Sequence, residues 1–493
     1  MKINNFKLTL LKKEFILNII LLLAINLLIK PVYLFGVDLH IQNIVGTDTY
    51  GMYKVLFNIA FLLQFIHEPG IQSFNSQNIA KNPDQLGFHL PRILGLKFLL
   101  GIIYFVLTLS YFLLNPYDHT LLPLMIVITI NLFLSTLFLY LRTNVASIGK
   151  YRIDSLLSSL DKLLMLIILG VLSWVSPFRE NFEIIWLAYG QFAAFLIACI
   201  VALVILYKHL GKLSVSFSWD YSKKLLKWSL PYALILLSMS AYTRMDSIMI
   251  ERILNDDGLE SGIYEYGYRF LDAFNMVGYL FAALLLPMYA SNFKNNKIIN
   301  ELIDIGLRLM VLITFVGSAA AITYRNEIMS WAHSDATPYY GEIMIYLMLS
   351  FISLSIAYIF GSLIVASNKL KNLNILLFGG VGINFLLNMY LIPQGHALGA
   401  AKATFITQTL MAIGQVILVY QVINVKISIQ LLLSIAVFGL LCALIFGSIY
   451  AYIPFGWIYK ALLSISFVMI VALLLRLVDL KMITNLITRK KPT

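Results

Sequence analysis

Charged residues are scarce in this chain. Asp, Glu, Lys and Arg make up 12% of its 493 residues, whereas soluble domains carry roughly 25%. Hydrophobic residues make up 60%, and the mean hydropathy is +0.85. This composition excludes an ordinary soluble domain and predicts an integral membrane protein.

Cysteine and the common catalytic motifs are also scarce. The two cysteines, Cys199 and Cys442, lie in apolar runs, which excludes a disulfide framework and a cysteine metal cluster. No P-loop is visible, and the FIHEPG segment around His67 and Glu68 lacks the second histidine of a metalloprotease helix. We therefore predict no metal site and no cofactor. Coupling to a sodium gradient, a proton gradient or the membrane potential stays open.

Long apolar runs are what the chain does contain. Spanning a bilayer takes roughly 20 apolar residues, and we count about fourteen such stretches. Barrel strands would alternate instead of running unbroken, so the predicted class is all-α and polytopic. The predicted spans are 15–36, 49–72, 93–114, 120–142, 155–176, 182–208, 225–251, 262–290, 300–324, 341–366, 372–393, 397–424, 428–452 and 455–478.

Basic residues are distributed unevenly among the loops. The N-terminus and alternate loops hold most of them, including Arg92 and Lys97, whereas the other loops hold Arg179, Arg252 and Arg325. By the positive-inside rule, both termini are cytoplasmic. The first span, which follows four lysines, is predicted to be an uncleaved helix. The net charge of +12 thus reflects topology, with membrane lipids and not nucleic acid as the partner.

Eight cations remain inside the predicted spans. A central Lys or Arg costs roughly 2.5–3.5 kcal/mol on insertion scales, so such residues normally face protein or water and mark a pathway. Those near span ends can extend to the interface, as we expect for Arg308 and Lys460. The eight are Lys30, Lys54, Lys162, Arg244, Arg269, Arg308, Lys402 and Lys460.

The segment AYTRMDSIMIER puts Arg244 and Asp246 in one span. Two residues on a helix turn by about 200°, so these side chains need different partners. The next span carries further charges at a similar depth, and we predict one charged patch. A structural ion-pair network and a ligand site both stay open for it. The patch comprises Arg244, Asp246, Glu265, Arg269 and Asp272, bordered by Tyr242, Tyr264 and Tyr268.

Several segments recur at an offset of about 215–220 residues. KPVYLFG and TYGMYK parallel RMDSIMIE and SGIYEYG, which pairs Lys30 with Arg244, Gly51 with Gly262 and Tyr53 with Tyr264. An even number of helices per repeat predicts a pseudo-twofold axis along the membrane normal. Lys30 and Arg244 would face each other across it, beside a cationic, water-filled cavity. The predicted domains are 1–214, 215–425 and 426–493.

The order of several segments resembles one transporter family. These are VGTDTYGMY, LPYALILLSMSAYTRMDSIMI, GIYEYGYRF, LLPMYAS, GSLIVASNKLKNLNILL and NFLLNMYLIPQGHALGAAKATFITQ. Together they are similar to the polysaccharide flippases of the multidrug/oligosaccharidyl-lipid/polysaccharide exporter superfamily, which translocate O-antigen and capsule repeat units.

The resemblance implies two six-helix lobes, residues 1–214 and 215–425, plus two C-terminal helices, with a central cavity. It implies alternating access for an undecaprenyl-diphosphate-linked oligosaccharide, moved from the cytoplasmic to the periplasmic leaflet of a bacterial inner membrane. It further implies a role in O-antigen and lipopolysaccharide biosynthesis, with a polysaccharide polymerase or chain-length regulator as a partner. The chain is then a transporter and not an enzyme.

The candidate site residues fit such a cargo. Lys30, Arg244 and Arg269 can neutralise a diphosphate, and Lys54 and Lys162 are further candidates. The tyrosines can either contact sugars or pack between helices. The carboxylates can either bind a driving cation or hold an arginine in place, and we prefer the second role. These are Tyr264 and Tyr268, and Asp246, Glu265 and Asp272.

Two other functions compete with the flippase. A drug or small-cation antiporter of the same superfamily would favour twelve helices and an acidic cavity. A membrane glycosyltransferase or polymerase would need a large external loop, and the longest predicted one runs only from about Arg325 to Gly341.

Overall fold

A computed structural model describes residues 28–72, 75, 85–148, 150–210, 214–293, 295–367, 369–423, 428–475 and 477. Within these ranges all regular structure is helical. Backbone groups in hydrocarbon must be satisfied within the chain, which is why long apolar segments become helices. The first half of the predicted span 15–36, its lysine-rich start and the basic tail from residue 478 lie outside the described residues.

Sixteen helices are described, with some short turns between them. The first, α1, covers residues 28–45 and contains a π-helical turn at Leu34–Asp38. The others are α2 Thr47–Leu63, α3 Leu86–Leu114, α4 Leu122–Ser147, α5 Tyr151–Leu157, α6 Leu160–Trp174, α7 Ser176–Arg179, α8 Ile184–Leu210, α9 Trp219–Leu254, α10 Leu259–Asn292, α11 Asn296–Thr323, α12 Arg325–Ala332, α13 Pro338–Ala366, α14 Leu370–Ile423, α15 Ile429–Tyr452 and α16 Trp457–Leu474.

Twelve of the described helical stretches are long and apolar enough to cross a membrane. The all-α polytopic class is therefore confirmed. One stretch, in α14, is broken at His396, whose φ of 52° and ψ of −132° are not helical. This break falls between the predicted spans 372–393 and 397–424, three residues after Pro393. The count of about fourteen spans stays a prediction.

The described residues divide into two compact units, Met1–Glu265 and Tyr266–Thr493. In unit 1, α2, α4, α6 and α8 enclose an apolar core around Tyr50, Tyr53, Ile128 and Leu169. A second core of unit 1 lies between α3, α4, α8 and the start of α9. Gly46 separates α1 from α2, because its φ of 94° suits glycine and interrupts the helix.

Unit 2 contains its own core between α11, α15 and α16. Phe438, Cys442 and Phe446 of α15 are buried there beside Tyr324. Near the break in α14, a side chain of α13 bonds two backbone groups. The Tyr339 hydroxyl donates to the Gly395 carbonyl at 3.4 Å and accepts from the Leu398 amide at 3.3 Å. Both cysteines are free and buried, as the sequence predicts.

Candidate functional site

The first charge cluster joins α2, α9 and α10 in unit 1. Glu265 lies 3.4 Å from the Lys54 Nζ and accepts a hydrogen bond of 3.1 Å from the Ser247 hydroxyl. Tyr264 donates to Asp246 at 2.8 Å. Both carboxylates are buried, so each requires such partners. Four predicted site residues therefore form two sets of contacts at neighbouring positions of α10, Lys54 with Glu265 and Tyr264 with Asp246. Together with Arg244 of α9 we call them the first charge cluster.

Arg244 contacts a different helix from Asp246. Its guanidinium carbon lies 5.3 Å from the centre of the Phe61 ring of α2, whereas Asp246 meets α10. This agrees with the rotation of about 200° between the two positions. Arg244 is only partly buried. Helical side chains point toward the N-terminus, so Arg244 extends toward the Trp219 end of α9.

The second charge cluster lies on α1, α4, α5 and α6. The Nζ of Lys162 is 3.9 Å from Asp161 and stands 5.1 Å from the centre of the Tyr33 ring. Lys30 is attracted by Asp161 and repelled by Lys162 and Arg142. Arg142 donates to Asp154 at 2.7 Å. The second charge cluster is thus Lys30, Arg142, Asp154, Asp161 and Lys162.

Carboxylates accompany the cations in both clusters. The first charge cluster holds two cations and two carboxylates, and the second holds three cations and two carboxylates. The cations that were predicted to line a cavity therefore mostly lie beside carboxylates. A phosphate entering either cluster has to compete with a carboxylate for its cation.

Glycines bring α2 and α10 into direct backbone contact. A Cβ on Gly51 would overlap the Gly258 carbonyl oxygen, and a Cβ on Gly262 would overlap the Thr47 carbonyl oxygen. The side chain of Gln42 also donates to the Gly262 carbonyl at 3.0 Å. We call the contact of Thr47 and Gly51 with Gly258 and Gly262 the glycine seam.

The glycine seam is reciprocal. Gly51 contacts the residue four before Gly262, and Gly262 contacts the residue four before Gly51. Residues near a twofold axis contact each other in this manner. The internal repeat pairs these same two glycines. That Lys30 and Arg244 face each other stays a prediction.

Sequence reasoning missed one buried ion pair, Glu68 with Lys97. The Lys97 Nζ donates to Glu68, and Lys97 is fully buried within α3, so its assignment to an inner loop was wrong. Its ammonium also lies 5.5 Å from the centre of the Tyr140 ring. The backbone N–H of Gln72 donates to the other carboxylate oxygen of Glu68 at 2.7 Å. The usable signal was a lysine four residues into the predicted span 93–114 and an acid near the end of the predicted span 49–72.

His67 borders this ion pair and stays neutral. Burial, and secondly the nearby Lys97, lower the pKa of His67 to about 3. Its Nε2 hydrogen-bonds the Thr136 hydroxyl at 2.8 Å, and its ring packs 4.4 Å from that of Tyr104. Among the described residues, no group of three or more His, Cys, Asp or Glu side chains is arranged to hold a metal ion.

Unit 2 holds the rest of the predicted patch. Arg269 and Tyr268 of α10 are buried and Asp272 is partly buried. The Arg269 guanidinium lies 5.9 Å from the centre of the Tyr266 ring, whose hydroxyl is 3.2 Å from the His333 Nδ1. Buried aromatic residues therefore surround Arg269 within unit 2.

Three other interior cations have local contacts. Arg308 pairs with Asp304 one helical turn away at 2.7 Å, and Lys460 donates to the Tyr450 carbonyl at 2.9 Å. Lys402 lies 5.4 Å from the centre of the Tyr346 ring. These contacts favour the packing and interface roles predicted for them.

A family model described as a polysaccharide biosynthesis protein matches residues 15–293. The chain belongs to this family. The match to the polysaccharide biosynthesis family contains both charge clusters, the glycine seam and the Glu68–Lys97 pair. A comparison with curated proteins finds no match.

Solved structures share the fold. The chain is similar to the lipid II flippase MurJ in an inward closed conformation, with a TM-score of 0.68 and 16% identity over 95% of this chain and 98% of that one. It is also similar to an inward-facing multidrug resistance MATE family transporter of the MOP superfamily, with a TM-score of 0.59 and 15% identity over 82% and 98% of the two chains. A third similar structure is a MATE protein in complex with MaL6, with a TM-score of 0.58 and 13% identity over 83% of this chain and 94% of that one.

The family match confirms the predicted resemblance to polysaccharide biosynthesis proteins. The fold is shared with solved structures of a flippase and of membrane transporters.

Proposed function

We propose that this polysaccharide biosynthesis protein is a flippase for undecaprenyl-diphosphate-linked oligosaccharide repeat units. It carries them from the cytoplasmic to the periplasmic leaflet by alternating access. The observation that carries the proposal is the presence of two charge clusters on membrane-spanning helices. Such residues are expensive in hydrocarbon and mark substrate pathways.

The two clusters lie at different depths, which suits a cargo that crosses the membrane. At 1.5 Å per residue, Lys54 is about 10 Å from the Thr47 end of α2, whereas Lys30 is about 22 Å from the Val45 end of α1. In the proposed cycle, the diphosphate first meets Lys30 and Lys162 and then moves to Lys54 and Arg244.

Exchange of ion-pair partners supplies the mechanism. In this structure Lys54 is bound to Glu265. An arriving phosphate replaces Glu265 as the partner of Lys54, while Arg244 adds a planar, two-pronged donor suited to phosphate oxygens. When the cargo leaves, Glu265 recovers Lys54, so no cation remains unpaired in the empty site. Arg269 is the further candidate for this contact.

Replacing Arg244 by alanine should lower surface polysaccharide by about tenfold or more. A hydrogen bond to a charged group contributes about 1.5–3 kcal/mol, which corresponds to roughly 10- to 100-fold in binding. The measurement is surface polysaccharide per membrane-inserted protein, with Arg244→Lys expected to be intermediate. The matched control is Arg152→Ala, since Arg152 is exposed. Full export by the Arg244→Ala strain would contradict the proposal.

The buried carboxylates favour one alternative, an ion-coupled drug or small-cation antiporter of the same superfamily. Asp246 and Glu265 are buried, as a cation site requires. Uptake of a cationic dye by vesicles containing the purified protein would support that function. The flippase proposal expects no dye uptake and expects binding of a prenyl diphosphate.

The proposed function also assigns the protein a membrane, a partner and an energy source. A basic N-terminus and basic alternate loops support cytoplasmic termini in a bacterial inner membrane. A polysaccharide polymerase or chain-length regulator would receive the cargo for O-antigen and lipopolysaccharide assembly. The energy source would be an ion gradient or the membrane potential.

A further inference from the structure

A polar cavity of about 570 Å³ lies at one end of unit 1, between the end of α1, the end of α6 and the short helix α7. Ligand sites commonly have volumes of about 300–1,000 Å³. Neither charge cluster contributes to it. We call this cavity the end pocket. Its polar and aromatic lining residues are His40, Asn43, Trp174, Ser176, Arg179 and Glu180.

The indole of Trp174 is held in a fixed orientation in the end pocket. Its ring is stacked on His40, with centroids 3.9 Å apart and 16° between the planes. Its Nε1 donates to the Gly36 carbonyl at 3.0 Å, and His40 is anchored in turn by the Ser173 carbonyl at 3.1 Å. Trp174 nevertheless stays 59% exposed. Since His40 covers one face, the opposite face is open.

The formal charges of the end pocket cancel at neutral pH. Arg179 and Glu180 carry opposite charges, and Glu180 also accepts from the Ser176 hydroxyl at 2.7 Å. Burial is the main cause that lowers the pKa of His40, so its ring is uncharged at pH 7. A pocket without net charge gives little attraction for phosphate, and its hydroxyl, amide and guanidinium groups suit a neutral ligand rich in hydroxyls.

We propose that the end pocket binds the sugar part of the cargo. The C–H face of a pyranose ring fits an open indole face, and the polar walls can bond its hydroxyl groups. The inference rests on the proposed function for its cargo and on the charge asymmetry of the loops for its side, which is the periplasmic one. The end pocket then holds the glycan as the diphosphate crosses, separately from the charge clusters.

Trp174 at a membrane boundary could be only an interface anchor. Two observations argue against that role alone. Its N–H is bonded inside the protein and not directed to headgroups, and its ring is backed by a polar residue. A matched tryptophan is available in unit 2, because Trp331 is 61% exposed near a helix end.

The test uses the full chain in lipid nanodiscs and two probes. The first is the oligosaccharide freed by mild acid from the producing strain's lipid-linked precursor, and its binding is measured by saturation-transfer NMR and calorimetry. The second is farnesyl diphosphate. We expect Trp174→Ala to weaken oligosaccharide binding about tenfold or more, Trp174→Phe by about threefold at most, and Trp331→Ala not at all.

The two probes separate the inference from the proposed function. Unchanged farnesyl diphosphate binding by Trp174→Ala shows that the variant is folded. If wild-type protein binds the oligosaccharide through Trp174 but binds no diphosphate, the flippase proposal fails and the end pocket stands. If wild-type protein binds no oligosaccharide at millimolar concentration, or Trp174→Ala binds it equally well, the end pocket inference is overturned.

Discussion

Replacing Gly51 by alanine should abolish export while the protein still reaches the membrane. The added Cβ would lie closer to the Gly258 carbonyl oxygen and the Gly262 nitrogen than the 3.0 Å that real Cβ atoms respect. Both neighbours are backbone atoms of α10 or of the turn before it, so no side chain can move aside. The helices must separate, and the state with the glycine seam closed is lost. We expect transport to fall by about 100-fold, as a shift of roughly 3 kcal/mol between two states produces.

Thiol labelling can report this opening directly. In a Thr47→Cys background, Gly51→Ala should speed reaction with a membrane-impermeant maleimide, because Thr47 lies within the glycine seam. Native cysteines add little background, since both are buried. The matched control is Gly447→Ala, whose added Cβ meets no atom within 4 Å. Normal export and unchanged labelling in Gly51→Ala would show that the glycine seam has no gating role.

The reciprocal geometry extends the same prediction to Gly262. Gly262→Ala should match Gly51→Ala, because its Cβ meets the Thr47 carbonyl from the opposite side. The double variant should be little worse than either single one. Residues that share one contact are not additive, and the first substitution already separates the helices.

Much of the fold could be predicted from hydropathy. Apolar runs must form helices in lipid because no water satisfies the backbone there, so long runs such as that of α15 were readable. The break at His396 was readable from Pro393 and the polar residues beside it. Side-chain neighbours were not, because a period of 3.6 defines a face and not the helix that covers it. The partner of Glu265 proved to be Lys54, on a helix far away in the chain.

The sequence indicated which charged residues lie in the candidate site, but it did not indicate their contacts. Charges inside apolar runs identified Arg244, Asp246 and Glu265, since each is costly without a partner. Lys97 was missed because a lysine near a span end is ordinarily assigned to the interface, and only the packing of α3 shows it to be fully buried. The internal repeat that pairs Gly51 with Gly262 was visible in the sequence. Only the fold shows the close backbone contacts at the two positions.

Replacing Lys97 by methionine should destabilise unit 1 by about 3–5 kcal/mol. Breaking a buried ion pair leaves an uncompensated charge in low dielectric, and here Glu68 would keep the hydrogen bond from the Gln72 backbone amide. His67 cannot replace the lost cation, because burial lowers its pKa to about 3 and keeps it neutral. Thermal unfolding of purified protein, followed by fluorescence, gives the measurement. Lys224→Met is the matched control, since Lys224 is exposed on α9.

Neutralising Glu68 as well should restore most of the loss. In Glu68→Gln with Lys97→Met the site contains no charge, the amide can still accept from Gln72, and the methionine fills the volume of the lysine stem. Buried ion pairs replaced by uncharged residues of similar volume are often nearly neutral in stability. The double variant should therefore be more stable than Lys97→Met, although it carries a second substitution. A double variant less stable than Lys97→Met alone, or a Lys97→Met protein as stable as wild type, would show that the charge of Lys97 does not stabilise Glu68.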